Sequence, residues 1–458
     1  MSVTRRYFFL GCAAAALAGK KRPEPRPNIV LILADDLGAW MLGCYGNQEI
    51  RTPNIDLLAR MGTRFTNNYV CTPICSASRA TLFTGRTPMQ HGIEDFLTPK
   101  PLDNPPQGQA AAPPSFRQEI MISDILADAG YNCGYLGKWH MGDDQKPQHG
   151  YRFWYTMLEG SSSYQDPKLS WNGEIVQERG YLAELLTQKA IQFLDDQKAD
   201  HPFFLVVSHF NPHVPYEGHP QKYYDMYAAT KFVTIGWESP APNALREKEY
   251  LQDIVGNARK CAASVTALDD QIGALIQYLR NKNLLDNTLV IFTSDNGFLL
   301  GRHGLWSKGH ASDPINMYDE VMVTPMIWCW HGKTPPEGVR PELVSFYDFL
   351  PTVCEAAGVT APANRGLCGR SYLKLAKNKP LPKKKPWNNL VFGHFRNTEM
   401  ARDGRYKLIV RNGGEGPNEL YDLRADPREK TNEFANQGFA TVRIRLTEAL
   451  EGWKKQYS

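Results

Sequence analysis

Three stretches of this chain are apolar almost without a break: residues 28–33 (NIVLIL), 202–208 (PFFLVVS) and 288–293 (TLVIFT). Runs this short and this apolar read as strands covered on both faces. Such strands belong to parallel sheets, whose crossovers lay helices over both sides. Helical patterns do lie between them: a capped start at Thr52-Pro53, an amphipathic stretch at 120–130, and further patterns at 178–197, 247–282 and 348–357. Residues 65–70, 131–136 and 325–330 read as additional strands. The expectation is an α/β fold with a large, mainly parallel sheet sandwiched by helices.

Four of these strands end in polar clusters. Residues 28–33 run into Asp35-Asp36, residues 131–136 into Gly137-Lys138-Trp139-His140, residues 202–208 into His209 and His213, and residues 288–293 into Asp295-Asn296-Gly297. Ligands of α/β sheets bind beyond the carboxyl ends of parallel strands, so the four clusters should meet on one edge. Taken singly, each is ambiguous. Asp35-Asp36 is either a solvated turn or a pair of ligands for one ion. Neighbours in a strand face opposite ways, so sharing an ion needs a turn here, which Gly38 permits. Lys138 and His140, two apart, face the same way in extended chain. His213 lies between prolines in a backbone held extended, and His209 competes with it. Lys308 follows in a Gly-rich loop, HGLWSKG.

Taken together, the clusters divide by chemistry. Asp35, Asp36, Asp295 and Asn296 offer only oxygen, which suits calcium or magnesium rather than zinc. Arg79, Lys138, His140, His213 and Lys308 offer positive donors for an anion with several oxygens. The implied substrate is a tetrahedral oxyanion ester.

Residues 72–86, TPICSASRATLFTGR, complete the set. Ser76 and Ser78 are N-cap candidates for a short helix that Gly85 can end. Cys75 then lies at a helix N-terminus, where backbone N–H groups favour negative charge, and Arg79 comes round to the same side one turn later. The alternative is a cysteine packed under a helix.

The remainder of the chain narrows the class. A hydrophobic fraction of 42%, a charged fraction of 22% and a net charge of +4 describe a soluble globular protein with no nucleic-acid partner. Lys383-Lys384-Lys385 lies between prolines and reads as a solvated linker. Arg5-Arg6 precede an apolar run too short to span a bilayer, so residues 1–19 read as an export signal, twin-arginine or ordinary secretory. No later run reaches membrane-spanning length, which points to the periplasm or the extracellular space. Nine cysteines leave seven after Cys12 and Cys75 are set aside, an odd number at no recognisable spacing, and these read mostly as buried thiols. Residues 220–242 are aromatic-rich, for packing or for stacking on sugar rings. Beyond a linker at 378–387, short strands at 390–395, 399–402, 406–410 and 419–422 and a helix at 441–456 read as an antiparallel sheet with one helix on it. The units are thus 28–377 and 388–458.

These motifs, in this order, resemble the type I sulfatases, relatives of the alkaline phosphatases in fold. Cys75-x-x-x-Arg79 with Thr84-Gly85-Arg86, Asp35-Asp36, Gly137-Lys138-Trp139-His140, Pro212-His213-Val214-Pro215, Asp295-Asn296-Gly297 and Lys308 carry the resemblance. Residues 402–407 (RDGRYK) and 420–427 extend it into the C-terminal unit. The resemblance implies that Cys75 is oxidised to formylglycine (3-oxoalanine), whose hydrate attacks the sulfur of a sulfate monoester. It implies a cation on Asp35, Asp36, Asp295, Asn296 and the hydrate at position 75, with Arg79 beside it and Asp295 assisting deprotonation. Lys138, His213 and Lys308 would bind sulfate, Lys308 or His213 would protonate the leaving alcohol, and His140 would deprotonate the second hydroxyl. A sulfated saccharide is the expected substrate. A phosphodiesterase or phosphonate hydrolase of the same superfamily, or a non-catalytic glycan-binding relative, are the other readings. Ala77 departs from the family's usual proline, which implies maturation by the radical-type maturase.

Overall fold

The computed structural model describes residues 25–98, 109, 111–198 and 201–458. The expected export signal and Cys12 lie outside them, as does most of the Pro-rich stretch after Thr98.

Ten strands form one mixed sheet: β1 Asn28–Ala34, β2 Thr63–Tyr69, β3 Asn132–Gly137, β4 Phe153–Met157, β5 Lys168–Trp171, β6 Glu174–Gln177, β7 Phe203–Ser208, β8 Thr288–Ser294, β9 Val323–Trp330 and β10 Gly338–Ser345. Their order is β10-β2-β9-β8-β1-β7-β3-β4-β5-β6. The block β8-β1-β7-β3-β4 is parallel throughout, while β9, β5 and β6 run antiparallel to their neighbours. The expected α/β sandwich is therefore present, with helices on both faces.

The apolar runs explain why. Along β1, Ile29, Leu31 and Leu33 enter one apolar cluster while Val30, Ile32 and Ala34 enter another. β7 and β8 divide their residues in the same way. A strand whose alternate residues fill two different cores must lie between two helical layers. Helix Cys75–Thr84 belongs to the first layer, and the long helix Ile254–Asn281 to the second.

Four strands escaped the sequence reading. β5 and β6 form a hairpin across Asn172-Gly173, both with positive φ (49° and 99°). That Asn-Gly pair is a strong two-residue hairpin signal that was available. β4, Phe-Trp-Tyr-Thr-Met, is aromatic enough to fit either period. β10 carries Pro341, which a central strand excludes, and it lies at the sheet's edge with a register shift between Arg340 and Leu343.

The second sheet is an antiparallel meander of β11 Val391–Phe395, β12 Thr398–Arg402, β13 Tyr406–Arg411 and β14 Glu419–Asp422. Helix Ala440–Tyr457 covers it through Leu446, Leu450 and Trp453. Among the described residues no disulfide forms and no helix is long and apolar enough to cross a membrane.

Candidate active site

The four strands with polar ends are β8, β1, β7 and β3, adjacent and parallel, so their clusters do meet on one edge. Asp35 and Asp36 begin where β1 stops. Asp36 itself adopts the left-handed conformation (φ 66°), so it makes the turn that the sequence reading assigned to Gly38. Gly38 is extended (φ −69°, ψ 143°). The turn is what swings two consecutive carboxylates to one side.

Cys75 is the first residue of helix Cys75–Thr84, and every residue of that helix is buried. The N-cap is Ile74, with no side-chain cap, so neither Ser76 nor Ser78 caps the helix. Both serines instead tie the helix to the site: Ser76 Oγ accepts from the Leu97 amide (3.0 Å) and Ser78 Oγ donates to the Asp295 carbonyl. Gly85 closes the helix with φ 66°. Arg79, one turn on, is fully buried. Its Nε and Nη2 reach Asp295 Oδ2 at 2.9 and 2.8 Å, and Nη1 donates to the Lys138 carbonyl and Ser208 Oγ, both at 2.7 Å.

Lys138 follows β3. Here β3 lies so close to β7 that a Cβ on Gly137 would stand 1.8 Å from the Ser208 carbonyl oxygen. The Lys138 ammonium donates to Asp35 Oδ2 (2.7 Å), and the Lys308 ammonium to Asp36 Oδ1 (2.5 Å) and Cys75 Sγ (2.9 Å). Cys75 Sγ is also 3.7 Å from Asp35 Oδ1. His140 is buried, with Nε2 on the Leu97 carbonyl (2.9 Å) and its amide held by Asp144 (2.8 Å). A carbonyl only accepts, so Nε2 carries the proton and Nδ1, which has no partner among the described residues, keeps its lone pair. His213 stacks on Phe210 at 4.8 Å and sends Nδ1–H to the Val214 carbonyl. It is His213, not its competitor His209, that lines the cavity above Cys75.

That cavity holds about 340 Å³, with Cys75, Lys138, His140, His213 and Lys308 among its lining residues. Three carboxylates, Asp35, Asp36 and Asp295, face three cations, Arg79, Lys138 and Lys308. Burial alone would raise the Asp35 and Asp36 carboxyls, but Lys138 and Lys308 respectively hold them below the usual range. Both ammoniums are in turn held above theirs by those carboxylates, against burial. Burial, with Lys138 nearby, keeps His140 well below the ordinary histidine range and therefore neutral.

The oxygen donors fit a hard cation. Asp36 Oδ2 and Asn296 Oδ1 are buried with no hydrogen-bond partner among the described residues. His213 Nε2, its lone pair turned inward, stands 3.6 Å from that same Asp36 Oδ2. Two acceptors so placed call for a positive charge between them. Ligand atoms of Asp35, Asp36, Cys75 and His213 all lie within 4.8 Å of one another. Asp295 stands outside that group, engaged by Arg79 and by the Asp36 amide (3.1 Å).

Several site residues gave no sequence signal. Ser208 ends β7 and fixes Arg79. Glu247 takes a left-handed backbone (φ 55°), lines the cavity, and is pushed by burial and by Asp36 up to about 7. Arg246, Glu159 and His310 line it as well. Of these, His310, two residues past Lys308 in a Gly-rich loop, and Ser208, directly before His209, stood near a motif.

Comparison with known proteins identifies the family. The family model described as Sulfatase matches residues 27–359, and one described as N-sulphoglucosamine sulphohydrolase, C-terminal, matches residues 301–456. The chain is 28% identical to an N-acetylglucosamine-6-O-sulfatase of Bacteroides thetaiotaomicron, over 98% of this chain and 90% of that protein. It is 29% identical to an ulvan-active sulfatase of Formosa agariphila, over 97% and 84%, and 30% identical to the uncharacterized sulfatase YidJ of Escherichia coli, over 93% and 86%. A solved structure in complex with its substrate D-glucosamine-2-N,6-O-disulfate superposes with a TM-score of 0.79 at 25% identity, covering 94% of this chain and 98% of that one.

Proposed function

The chain belongs to the sulfatase family and is a sulfuric ester hydrolase, and on that premise we propose that it cleaves the sulfate ester of a sulfated saccharide with a formylglycine hydrate made from Cys75. The observation that carries the reading is the placement of Cys75. It starts a buried helix, in reach of Lys308 and Asp35, at the end of a cavity lined by cations. The carbohydrate substrates named for its relatives support the saccharide.

Formylglycine at position 75 supplies, on hydration, one hydroxyl that attacks sulfur and a second whose deprotonation expels sulfate. Asp35, Asp36, Asp295 and Asn296, together with residue 75, would hold a calcium or magnesium ion, which supplies positive charge for the developing anion. The remaining chemistry falls to the chain's own side chains. Arg79 fixes Asp295 and the Lys138 carbonyl with one planar fork, a geometry lysine cannot reproduce. Lys138 and Lys308 bind sulfate oxygens. Lys308 is the better donor to the departing alcohol, because the N–H of His213 is already committed to Val214. His140, neutral with a free Nδ1 lone pair, takes the second hydroxyl proton. The export signal expected over residues 1–19 directs the enzyme to the periplasm or beyond it.

The test pairs peptide mass with turnover. Sulfate release should track the fraction of the Cys75 peptide that has lost thiol for aldehyde, and Cys75→Ala should release none while melting within a few degrees of the parent. Full turnover by a preparation whose Cys75 is entirely thiol would end this reading. A phosphodiester turned over faster than a sulfate monoester would move the enzyme to the phosphonate hydrolase branch.

A further inference from the structure

His310 lines two cavities at once. One is the 340 Å³ cavity above Cys75; the other, of about 540 Å³, lies on its far side and is walled by Leu245, Arg396, Asn397 and Asn412. Leu245 and Arg246 are consecutive, and each lines one of the two. The two cavities therefore adjoin at a shared histidine, and Arg396, Asn397, Arg411 and Asn412 bring the C-terminal sheet into the wall of the second.

The second cavity is polar, lined by Arg396 and Arg411 together with one carboxylate residue, Asp313. Arg396 sits in the tight turn between β11 and β12 with a left-handed backbone (φ 56°), a conformation that disfavours a non-glycine residue. Its guanidinium, about a third exposed, is braced by the buried Asp95. Asn397 and Asn412 hydrogen-bond to each other beside it (2.5 Å). His310 packs against Phe96 (5.8 Å) with Nδ1 unpartnered among the described residues, under the combined field of Lys308, Arg246 and Arg396. Lys308 and Arg246 in the first cavity and Arg396 in the second therefore flank His310, with the Asn397 and Asn412 amides beside Arg396. Hydroxyls and spaced anionic groups along one chain would match it, whereas a single sugar would fill only the first cavity.

We propose that the cleft continues past His310 into the second cavity, so that the enzyme takes an anionic oligosaccharide, with Arg396 and the Asn397–Asn412 pair holding a unit beyond the one that is desulfated. This rests on the sulfatase reading for the first cavity only; the second is assigned from its own residues. The C-terminal hairpin is then part of the substrate cleft.

Binding is measured by calorimetry with Cys75→Ala protein, which cannot consume the probe. The probes are size-fractionated heparin, chondroitin sulfate and carrageenan oligosaccharides, each against its sulfated monosaccharide. Affinity should rise at least about tenfold from monosaccharide to tetrasaccharide in one series, the worth of one charge-assisted contact. That rise should vanish both in Arg396→Ala and in Asn397→Trp, which places an indole in the second cavity from an exposed position and leaves the Arg396–Asp95 pair intact. Affinity independent of chain length, absence of binding in every series, or a rise that survives Asn397→Trp would each overturn the proposal. Hydrolysis of a small aryl sulfate by the parent enzyme reads the sulfatase assignment separately, so failure of one is told from failure of the other.

Discussion

Arg79→Met tests how the site is held together. The guanidinium and the Asp295 carboxylate are both fully buried, and Arg79 makes two contacts to Asp295 Oδ2 at 2.9 and 2.8 Å. Removing one charge leaves the other buried and unpaired, which costs about 3–5 kcal/mol. Unfolding entropy near 2 cal/mol/K per residue gives this chain roughly 1 kcal/mol/K, so the melting temperature should fall by about 3–5 °C. Asp295→Asn should cost less than Arg79→Met, because the guanidinium keeps Asp35 Oδ1 at 3.8 Å and its bonds to the Lys138 carbonyl and Ser208 Oγ. The double variant buries neither charge, so its loss should be smaller than the sum of the single losses by about 2–3 kcal/mol. Melting curves or urea titrations of the four proteins complete the cycle, with sulfate release measured in parallel and expected to be lost in all three variants. Losses that add to within about 0.5 kcal/mol would show that the pair is not coupled and that the network around Arg79 has been misread.

Chelation followed by buffer exchange should abolish sulfate release and calcium or magnesium should restore it; full activity without metal would remove the cation from the mechanism. Ala77→Pro should fold and should raise Cys75 conversion by an oxygen-dependent maturase, since the first backbone bond of the helix is donated by Ser78 to Ile74 (2.9 Å) and position 77 gives up no helical bond. Efficient conversion of the Ala77 parent by that maturase alone, read from the mass of the Cys75 peptide, would refute the preference for the radical-type enzyme. His91 is buried, accepts the Ile93 amide at Nδ1 (3.1 Å), and is pulled by burial to about 3. The unfolded chain binds a proton there below about pH 6.5 and the folded one does not, so stability is lost as pH falls through that range. His91→Gln should shrink the stability difference between pH 6.5 and 5 by about 2 kcal/mol, and an unchanged difference would contradict the assignment.

Where the sequence was legible, one physical requirement dominated. β1, β7 and β8 must bury both faces, so they are apolar throughout, and the parallel sheet brings their polar ends to one edge. Where several interactions share the work, the signal thins. Pro341 hid β10 because an edge strand can forgo a ladder bond. The capping role given to Ser76 and Ser78 failed because tertiary partners, Leu97 and the Asp295 carbonyl, claim their hydroxyls. Gly38 looked like the turn, yet Asp36 makes it, because its bonds to Lys308 and Asn296 outweigh the strain of a left-handed backbone. Ser208 and Glu247 act through neighbours more than 100 residues away or on other loops, and no local pattern announces that.

The burial of helix Cys75–Thr84 sets a timetable. Under the proposed conversion of Cys75 to formylglycine, the oxidising enzyme would have to meet Cys75 in an open chain, because every residue of the folded helix is buried. Asp295, the main partner of Arg79, follows it by 216 residues, and β9 and β10, the neighbours of β2, come later still. At a synthesis rate of 5–20 residues per second, Cys75 leaves the ribosome roughly 10–40 s before the strand that will lock it in place. The long sequence separation across the sheet is therefore a delay line, and a variant that closed the sheet earlier would yield a well-folded protein with an unconverted thiol.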